Sequence, residues 1–504
     1  MGRARVERLE GRVLSGLQVV GEFVAHSLVE TLLIFVTFYF LFTNGCNTLL
    51  LACATANLRV HFVAAAAQRR NLLLSSPVLP RISVLAPAYR EQDTLVASVT
   101  ALLTLSYPAL EVIVVNDGSP DLTMERLTEG FDLEQVPAAF RLQVDTKPVR
   151  SVWRSRQDPH LLVVDKENGG KADALNAGLN LASGDLVCAI DADTLIEPDA
   201  LLRMVRPYLA YDGCMAVGGT IRVANGSRVR DGRVYEVHTP TNWLAGIQSV
   251  EYLRAFLLGR LGWNSLGGNL IISGAFGLFR REAVLAIGGY LHDTVGEDME
   301  LVARLRDNAP GGGPDIVRFV PDPVAWTEVP ESRRDLGRQR DRWARGLTDV
   351  LQRYHTSIFN PRKGRLGMLI YPYFLIVEWL APVVEGFGLV FLAFALPLGI
   401  IAPEYALAFF LVAYFYGILL SIWSVMIDSM AFPEKHTRRG DLLLVLWAVI
   451  EQFGYRQLTI VWRLKGMYRQ LRSQSMEWGE MTRKGFGPAA TSVPAPRTPA
   501  DVAG

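Results

Sequence analysis

Residues 31–56, TLLIFVTFYFLFTNGCNTLLLACATA, contain no charged side chain, and this constrains the chain more than any other feature. At ~1.5 Å rise per residue, a helix of that length crosses the ~30 Å of hydrocarbon in a bilayer. A transmembrane helix is expected over residues 31–60. The preceding residues 1–30 carry Arg3, Arg5, Arg8 and Arg12, then Glu22, His26 and Glu30, with no small-residue cleavage site. That pattern disfavours a removable secretory signal and predicts an amphipathic segment at the interface.

Two more apolar runs, 379–401 and 405–427, predict further spans. The stretch 442–462 holds Glu451, Gln452 and Arg456 and leaves spanning, re-entrant and interfacial placements open. Residues 366–465 thus read as transmembrane and interfacial helices. The loop FPEKHTRRGD between them bears Lys435, Arg438 and Arg439, and positive loops favour the cytoplasm. The expected location is the cell (inner) membrane, multi-pass, with the soluble part cytoplasmic. The tail, residues 487–504, is rich in Pro and Ala without hydrophobic period, and reads as disordered.

Between these segments, residues 78–350 alternate short apolar runs with helical patterns. The runs are ISVLA (82–86), EVIVV (111–115), LLVVD (161–165) and DLVCAI (185–190). Strands spaced by helices predict a mostly parallel sheet flanked by helices. The charge balance, 51 Lys+Arg against 50 Asp+Glu, supplies no general attraction to nucleic acid. The four cysteines form no CxxC pair and the seven histidines are scattered, so neither a disulfide framework nor a zinc site is expected.

In such sheets ligands bind beyond the carboxyl ends of the strands. There the chain places Pro87-Ala88-Tyr89-Arg90-Glu91, Asn116-Asp117-Gly118-Ser119 and Asp191-Ala192-Asp193. In an extended segment Asp191 and Asp193 point to one side and can share a hard cation, Mg²⁺ or Mn²⁺, that also binds phosphate oxygens. An isolated DxD is more often a pair of solvated turn acids, but here it follows a fully apolar strand. Asp117 before Gly118 serves equally as a turn former. Gly169-Gly170 opens a helix near Lys171, a place that suits a diphosphate but is also a common turn.

The ordered set PAYRE, VVNDGS, NGGKADALNAG, DAD, SGAFGLFRR, GED and QRDRW, spread over residues 82–346, resembles the processive family-2 glycosyltransferases, the bacterial synthases of poly-N-acetylglucosamine, cellulose, chitin and hyaluronan. The resemblance implies a GT-A-type α/β domain inserted between transmembrane helices, which moves sugar from a UDP-sugar to a growing polysaccharide with inversion. It implies a donor site of Pro87, Tyr89, Glu91, Asp117, Lys171 and Asp191, with Asp193 and Asp191 on the metal. Gly274, Ala275, Glu297, Gln339 and Trp343 would meet the acceptor. Asp298 would be the base and Arg342 would meet the diphosphate. Many relatives have Thr where this chain has Gly296, which leaves the acids intact. No appended arginine-rich signalling barrel follows the membrane part, and this weakens the match to cellulose synthase.

The chemistry agrees with those roles. Sugar transfer needs cations at the leaving diphosphate and a base at the attacking hydroxyl. Gln339, Arg342 and Trp343 share one helix face, with Arg340 directed elsewhere. The six arginines between residues 331 and 345 also suit a helix on anionic lipid. Glu378 and Glu385, seven apart, share a face, and with Gln452 and Arg456 they are candidates for an export path; local pairing is the competing account. N-acetylglucosamine is the preferred sugar, glucose the second. The rival functions are a non-processive transferase acting on a lipid acceptor and a catalytically silent nucleotide-binding scaffold. The implied partners are a UDP-sugar, a polysaccharide acceptor, the lipid bilayer and accessory export or regulatory proteins, with no nucleic acid.

Overall fold

The computed structural model describes residues 3–67, 79–137, 140–230, 232–309, 313 and 316–472, with side chains of the first helix from Ser27 to Phe62. The interfacial character expected of residues 1–30 depends largely on side chains outside this set. The tail at 487–504 also lies outside it.

The twelve strands are β1 (Ile82–Ala88), β2 (Leu110–Asn116), β3 (Leu133–Val136), β4 (Val149–Ser155), β5 (Leu161–Lys166), β6 (Leu186–Ile190), β7 (Leu195–Ile196), β8 (Ala216–Val223), β9 (Arg228–Arg230), β10 (Arg233–Glu236), β11 (Phe276–Arg280) and β12 (Val317–Thr327). All but the β9–β10 hairpin form a ten-stranded sheet in the order β3-β4-β5-β2-β1-β6-β11-β8-β12-β7. The four apolar runs read from the sequence are β2, β1, β5 and β6, and they pair in parallel at the centre. Only β4, β11 and β7 run against the common direction.

Parallel strands buried on both faces need apolar residues at every position. In β1, Val84 and Ala86 face one layer with Val99, Leu102 and Met204, while Leu85 faces the other with Leu175, Leu179 and Leu301. The alternation follows from the two-residue period of a strand. Polar residues gather where β1, β2 and β6 end, on one edge of the sheet. Because β11 runs antiparallel to β6, the segment before it starts beside the end of β6, and the Asp191 N–H donates to the Ala275 carbonyl at 3.3 Å.

Among the described residues three helical stretches are long and apolar enough to cross a membrane: Ser27–Phe62, Leu366–Ala395 and Pro403–Ala431. The second begins thirteen residues before the expected 379 start, because π-helical turns at Leu366–Ile370 and Phe374–Trp379 continue the helix N-terminally. The stretch 442–462 is broken into two helices, Arg438–Ile450 and Tyr455–Leu471, with Gly454 at φ 85° between them. Neither is among the apolar spanning candidates.

Charged side chains join the sheet domain to these helices. Arg254 donates to Glu451 at 2.8 Å, Lys435 pairs with Glu197 at 2.8 Å, and Arg222 is buried against Asp428. The FPEKHTRRGD loop is therefore packed on the sheet domain, on its side of the apolar helices. Breaking one member of such a buried pair leaves a desolvated charge, which costs about 3–5 kcal/mol.

Candidate active site

The strand ends open into a cavity of ≈ 1280 Å³. Every residue expected at the donor, acceptor, base or metal positions lines it: Pro87, Tyr89, Glu91 and Asp117, then Asp191, Asp193 and Lys171, then Gly274, Ala275, Glu297 and Asp298, then Gln339, Arg342 and Trp343; of the export-path candidates Glu378 lines it and Glu385, Gln452 and Arg456 do not.

The Asp117 carboxylate is almost fully buried, 3% exposed. It accepts from Lys166 Nζ at 2.7 Å and from the backbone N–H groups of Gly169 at 3.0 Å and Gly170 at 2.7 Å. Its main-chain carbonyl accepts from Asn168 at 2.8 Å. Asp117 therefore shapes the loop that starts the Lys171–Leu181 helix. Gly118 permits this crossing. Its φ is +64°, and a Cβ there would stand 2.7 Å from the Asn168 nitrogen. Sequence reasoning missed Lys166, which is fully buried and also paired with Asp173. The signal was present as a lysine closing the apolar run LLVVD, where a charge must find a partner.

Asp191 and Asp193 lie in a turn, closed by the Thr194 N–H to the Asp191 carbonyl at 3.0 Å, not in the extended segment expected. The strand ends at Ile190, so residues 191–193, which the i, i+2 argument needs extended, all lie beyond it. Both residues still line the cavity. Lys171 Nζ reaches Asp191 at 2.6 Å, Glu297 at 3.2 Å and the Gly274 carbonyl at 3.2 Å. Burial opposes its charge, but Asp191 and Glu297 outweigh burial and raise its pKa. One lysine thus ties Asp191 of the DAD segment to Glu297 of the GED segment.

Asp298 sits in the first turn of the Glu297–Asn308 helix. Its carboxylate accepts from the Gly274 N–H at 3.0 Å and the Met299 N–H at 2.8 Å. Burial, then the neighbouring Glu297, raises its pKa from the usual carboxylate value, with Lys171 and the two N–H groups pulling the other way. A raised pKa on a carboxyl in a cleft is what a general base requires.

The glycine at position 296 has a packing reason here. A Cβ on Gly296 would stand 3.2 Å from the Gly346 Cα, and one on Gly346 would stand 3.3 Å from the Gly296 Cα. Two backbones meet there and bring the Asp298 helix against the Arg333–Arg353 helix. Gly346→Val is expected to lower stability by about 1–3 kcal/mol through overpacking, read as a fall in the thermal midpoint of the lipid-reconstituted chain.

On the Arg333–Arg353 helix, Gln339, Arg342 and Trp343 face the cavity together. Trp343 is 45% exposed. Arg340, expected to be directed elsewhere, also lines the cavity, where it pairs with Glu251 at 2.6 Å and its guanidinium lies 4.2 Å from the Trp343 ring centroid. Arg342 carries no hydrogen bond or ion pair among the described residues. The cavity continues past this helix to Glu378, Thr459 and Arg463. Glu385 pairs instead with Arg456 at 2.7 Å.

Two family models match overlapping parts of the chain, Glycosyl transferase family 2 over residues 83–288 and Glycosyl transferase family group 2 over residues 186–422. The chain belongs to glycosyltransferase family 2. A poly-beta-1,6-N-acetyl-D-glucosamine synthase of Staphylococcus aureus is 29% identical over 304 residues, 60% of this chain and 63% of that protein. The synthase of the same name from Staphylococcus epidermidis is 31% identical over 303 residues, 59% of this chain and 62% of its own length. The match thus spans less than two thirds of these relatives. Among solved structures, a mannosyltransferase from Pyrobaculum calidifontis in complex with GDP-Man and Mn2+ is 20% identical, with a TM-score of 0.46 over 84% of this chain and 100% of that one. In this family-2 chain the strand-end acids stand at one edge of a mostly parallel sheet and line the cavity.

Proposed function

We propose that this chain is a membrane hexosyltransferase that moves N-acetylglucosamine from UDP-N-acetylglucosamine to a growing polysaccharide and feeds the product toward its apolar helices. The observation that carries the reading is the single cavity that holds the strand-end acids, the Asp298 carboxylate and the Gln339, Arg342 and Trp343 face, and then extends to Glu378 and Arg463.

The nucleotide lies at the end of Pro87, Tyr89, Glu91 and Asp117, with the Gly169-Gly170 N–H groups and Lys171 toward its phosphates. Asp193, with Asp191, fits a divalent cation: such ions take one or two carboxylates and complete their shell with substrate oxygens. Among the described residues no group of three or more ligating side chains is present, so diphosphate oxygens and water would complete the shell. When bound, Mg²⁺ or Mn²⁺ offsets charge on the departing UDP. Arg342 adds a planar donor fork for the same phosphates. The acceptor sugar stacks on Trp343, and Asp298 takes the proton of its hydroxyl. That oxygen bonds the anomeric carbon as the bond to UDP breaks, so the centre inverts. The soluble domain and the positive loop at Lys435 face the cytoplasm, where UDP-sugars are made.

The test supplies the purified, lipid-reconstituted chain with single UDP-sugars and Mg²⁺ or Mn²⁺, then measures UDP release and product length. The expected result is UDP release with UDP-N-acetylglucosamine and a polymer cut by a β-1,6-specific hydrolase. Products carrying one added sugar would replace the polymerase reading by single transfer, and release of no UDP from any donor would overturn both.

A further inference from the structure

Arg260 takes no part in the reaction as described. It closes the π-helical stretch Arg254–Arg260, which interrupts the helical run between Trp243 and Leu266. Such π turns concentrate at functional sites because the extra residue re-aims the side chains that follow. From this helical run Tyr252, Gly259, Arg260 and Trp263 line the cavity.

The Arg260 guanidinium lies 4.0 Å from the Phe256 ring centroid, and its Nη1 is closed off from solvent without a hydrogen-bond partner. Its stretch-mate Arg254 is held by Glu451, so the same π turn gives one arginine a carboxylate and leaves the other with a free donor. Burial pushes the Arg260 pKa down to about 10, against the pull of Asp298 and Tyr252. The side chain stays charged at neutral pH, and the charge of the base reaches it. Gln339, which lines the same cavity, also has its Oε1 buried and unpartnered. A donor and an acceptor left open in one cavity are what a polyhydroxylated ligand satisfies. Next along the helix, Trp263 meets Tyr373 of the apolar Leu366–Ala395 stretch edge to face at 4.8 Å, and aromatic walls suit the apolar faces of sugar rings.

We infer that Arg260 is an acceptor-binding residue, whose Nη1 donates to an oxygen of the glycan's terminal sugars and holds the attacking hydroxyl at Asp298. The inference rests on the transferase reading and deepens it. The diphosphate is the other anion-like ligand in reach, but Arg260 belongs to the wall that joins the apolar helices, with Trp263 and Tyr373, and the nucleotide end is lined by Glu91 and Asp117.

The experiment compares the full chain with Arg260→Met and Arg260→Lys in lipid nanodiscs, using an N-acetylglucosamine oligosaccharide of the linkage the wild type makes. It measures oligosaccharide affinity, UDP affinity and product length. Arg260→Met is expected to weaken oligosaccharide binding about tenfold or more, the effect of losing one charge-assisted hydrogen bond, and to shorten the product, with UDP affinity within about twofold. Arg260→Lys is expected to recover part of the affinity and decides the matter if the Met variant does not fold. Unchanged oligosaccharide affinity in a folded variant overturns the inference alone, as does a fall in UDP affinity as large as that for oligosaccharide. A wild-type chain that releases no UDP from any donor overturns the transferase reading and this inference with it.

Discussion

Asp298→Asn is expected to lower kcat for sugar transfer by about a thousandfold while UDP affinity stays unchanged. The amide keeps the shape of the carboxylate, and its oxygen can still accept from the Gly274 N–H that holds Asp298 at 3.0 Å. It cannot take a proton, and a positioned general base is worth about 10²–10⁴ in rate. Single-turnover transfer with saturating donor separates this from binding. The pH profile provides a second reading. Burial and Glu297 raise the Asp298 pKa, and the ionised form is the active one, so the rate falls as pH falls through that raised value. The acidic limb should therefore lie at higher pH than an ordinary carboxylate would give. Full turnover in Asp298→Asn would remove the base from the mechanism.

Arg342→Ala should lower kcat/KM by about a hundred- to a thousandfold, the range seen when a preorganised donor at a developing charge is lost. Arg342 lines the cavity beside Trp343 and holds no carboxylate among the described residues, so removing it leaves no buried partner unpaired and the fold should persist. Arg342→Lys should recover only part of the rate, because an ammonium supplies charge without the fork that matches a diphosphate. Arg340 is the contrast: it is buried against Glu251 and Tyr455, and its loss should appear first as instability. Transfer within a few-fold of wild type in Arg342→Ala would take the leaving-group role away from it.

The sheet centre was legible because β1, β2, β5 and β6 are apolar at nearly every position, a pattern that needs no long-range information. Strands β8, β11 and β12 were not, since their identity depends on pairing across the chain: β11 pairs with β6 and β8, and β12 contains Pro321 and Pro323 at register shifts in its pairing with β8. The strand-end residues could be named because the carboxyl edge of a parallel sheet collects ligands whatever the loops do. What those residues bond to was not readable. Asp117 is committed to Lys166 and a glycine loop, and Asp191 to Lys171, through contacts that span 49 and 20 residues. Arg260 was hidden inside the apolar run AFLLGRL, where a helix pattern alone gives no reason for a charge. Gly296 looked like a lost hydroxyl and is instead a point of backbone contact with Gly346.

The central claim is that one cavity brings donor, base and acceptor together. A structure of the lipid-reconstituted chain with UDP, Mn²⁺ and an acceptor oligosaccharide tests it most directly. The account places UDP between Glu91, Asp117 and Asp193, and the terminal acceptor sugar on Trp343 with its free hydroxyl within hydrogen-bond reach of Asp298. A nucleotide bound away from Asp117 and Asp193, or an acceptor hydroxyl turned from Asp298 with that residue facing empty solvent, would contradict it.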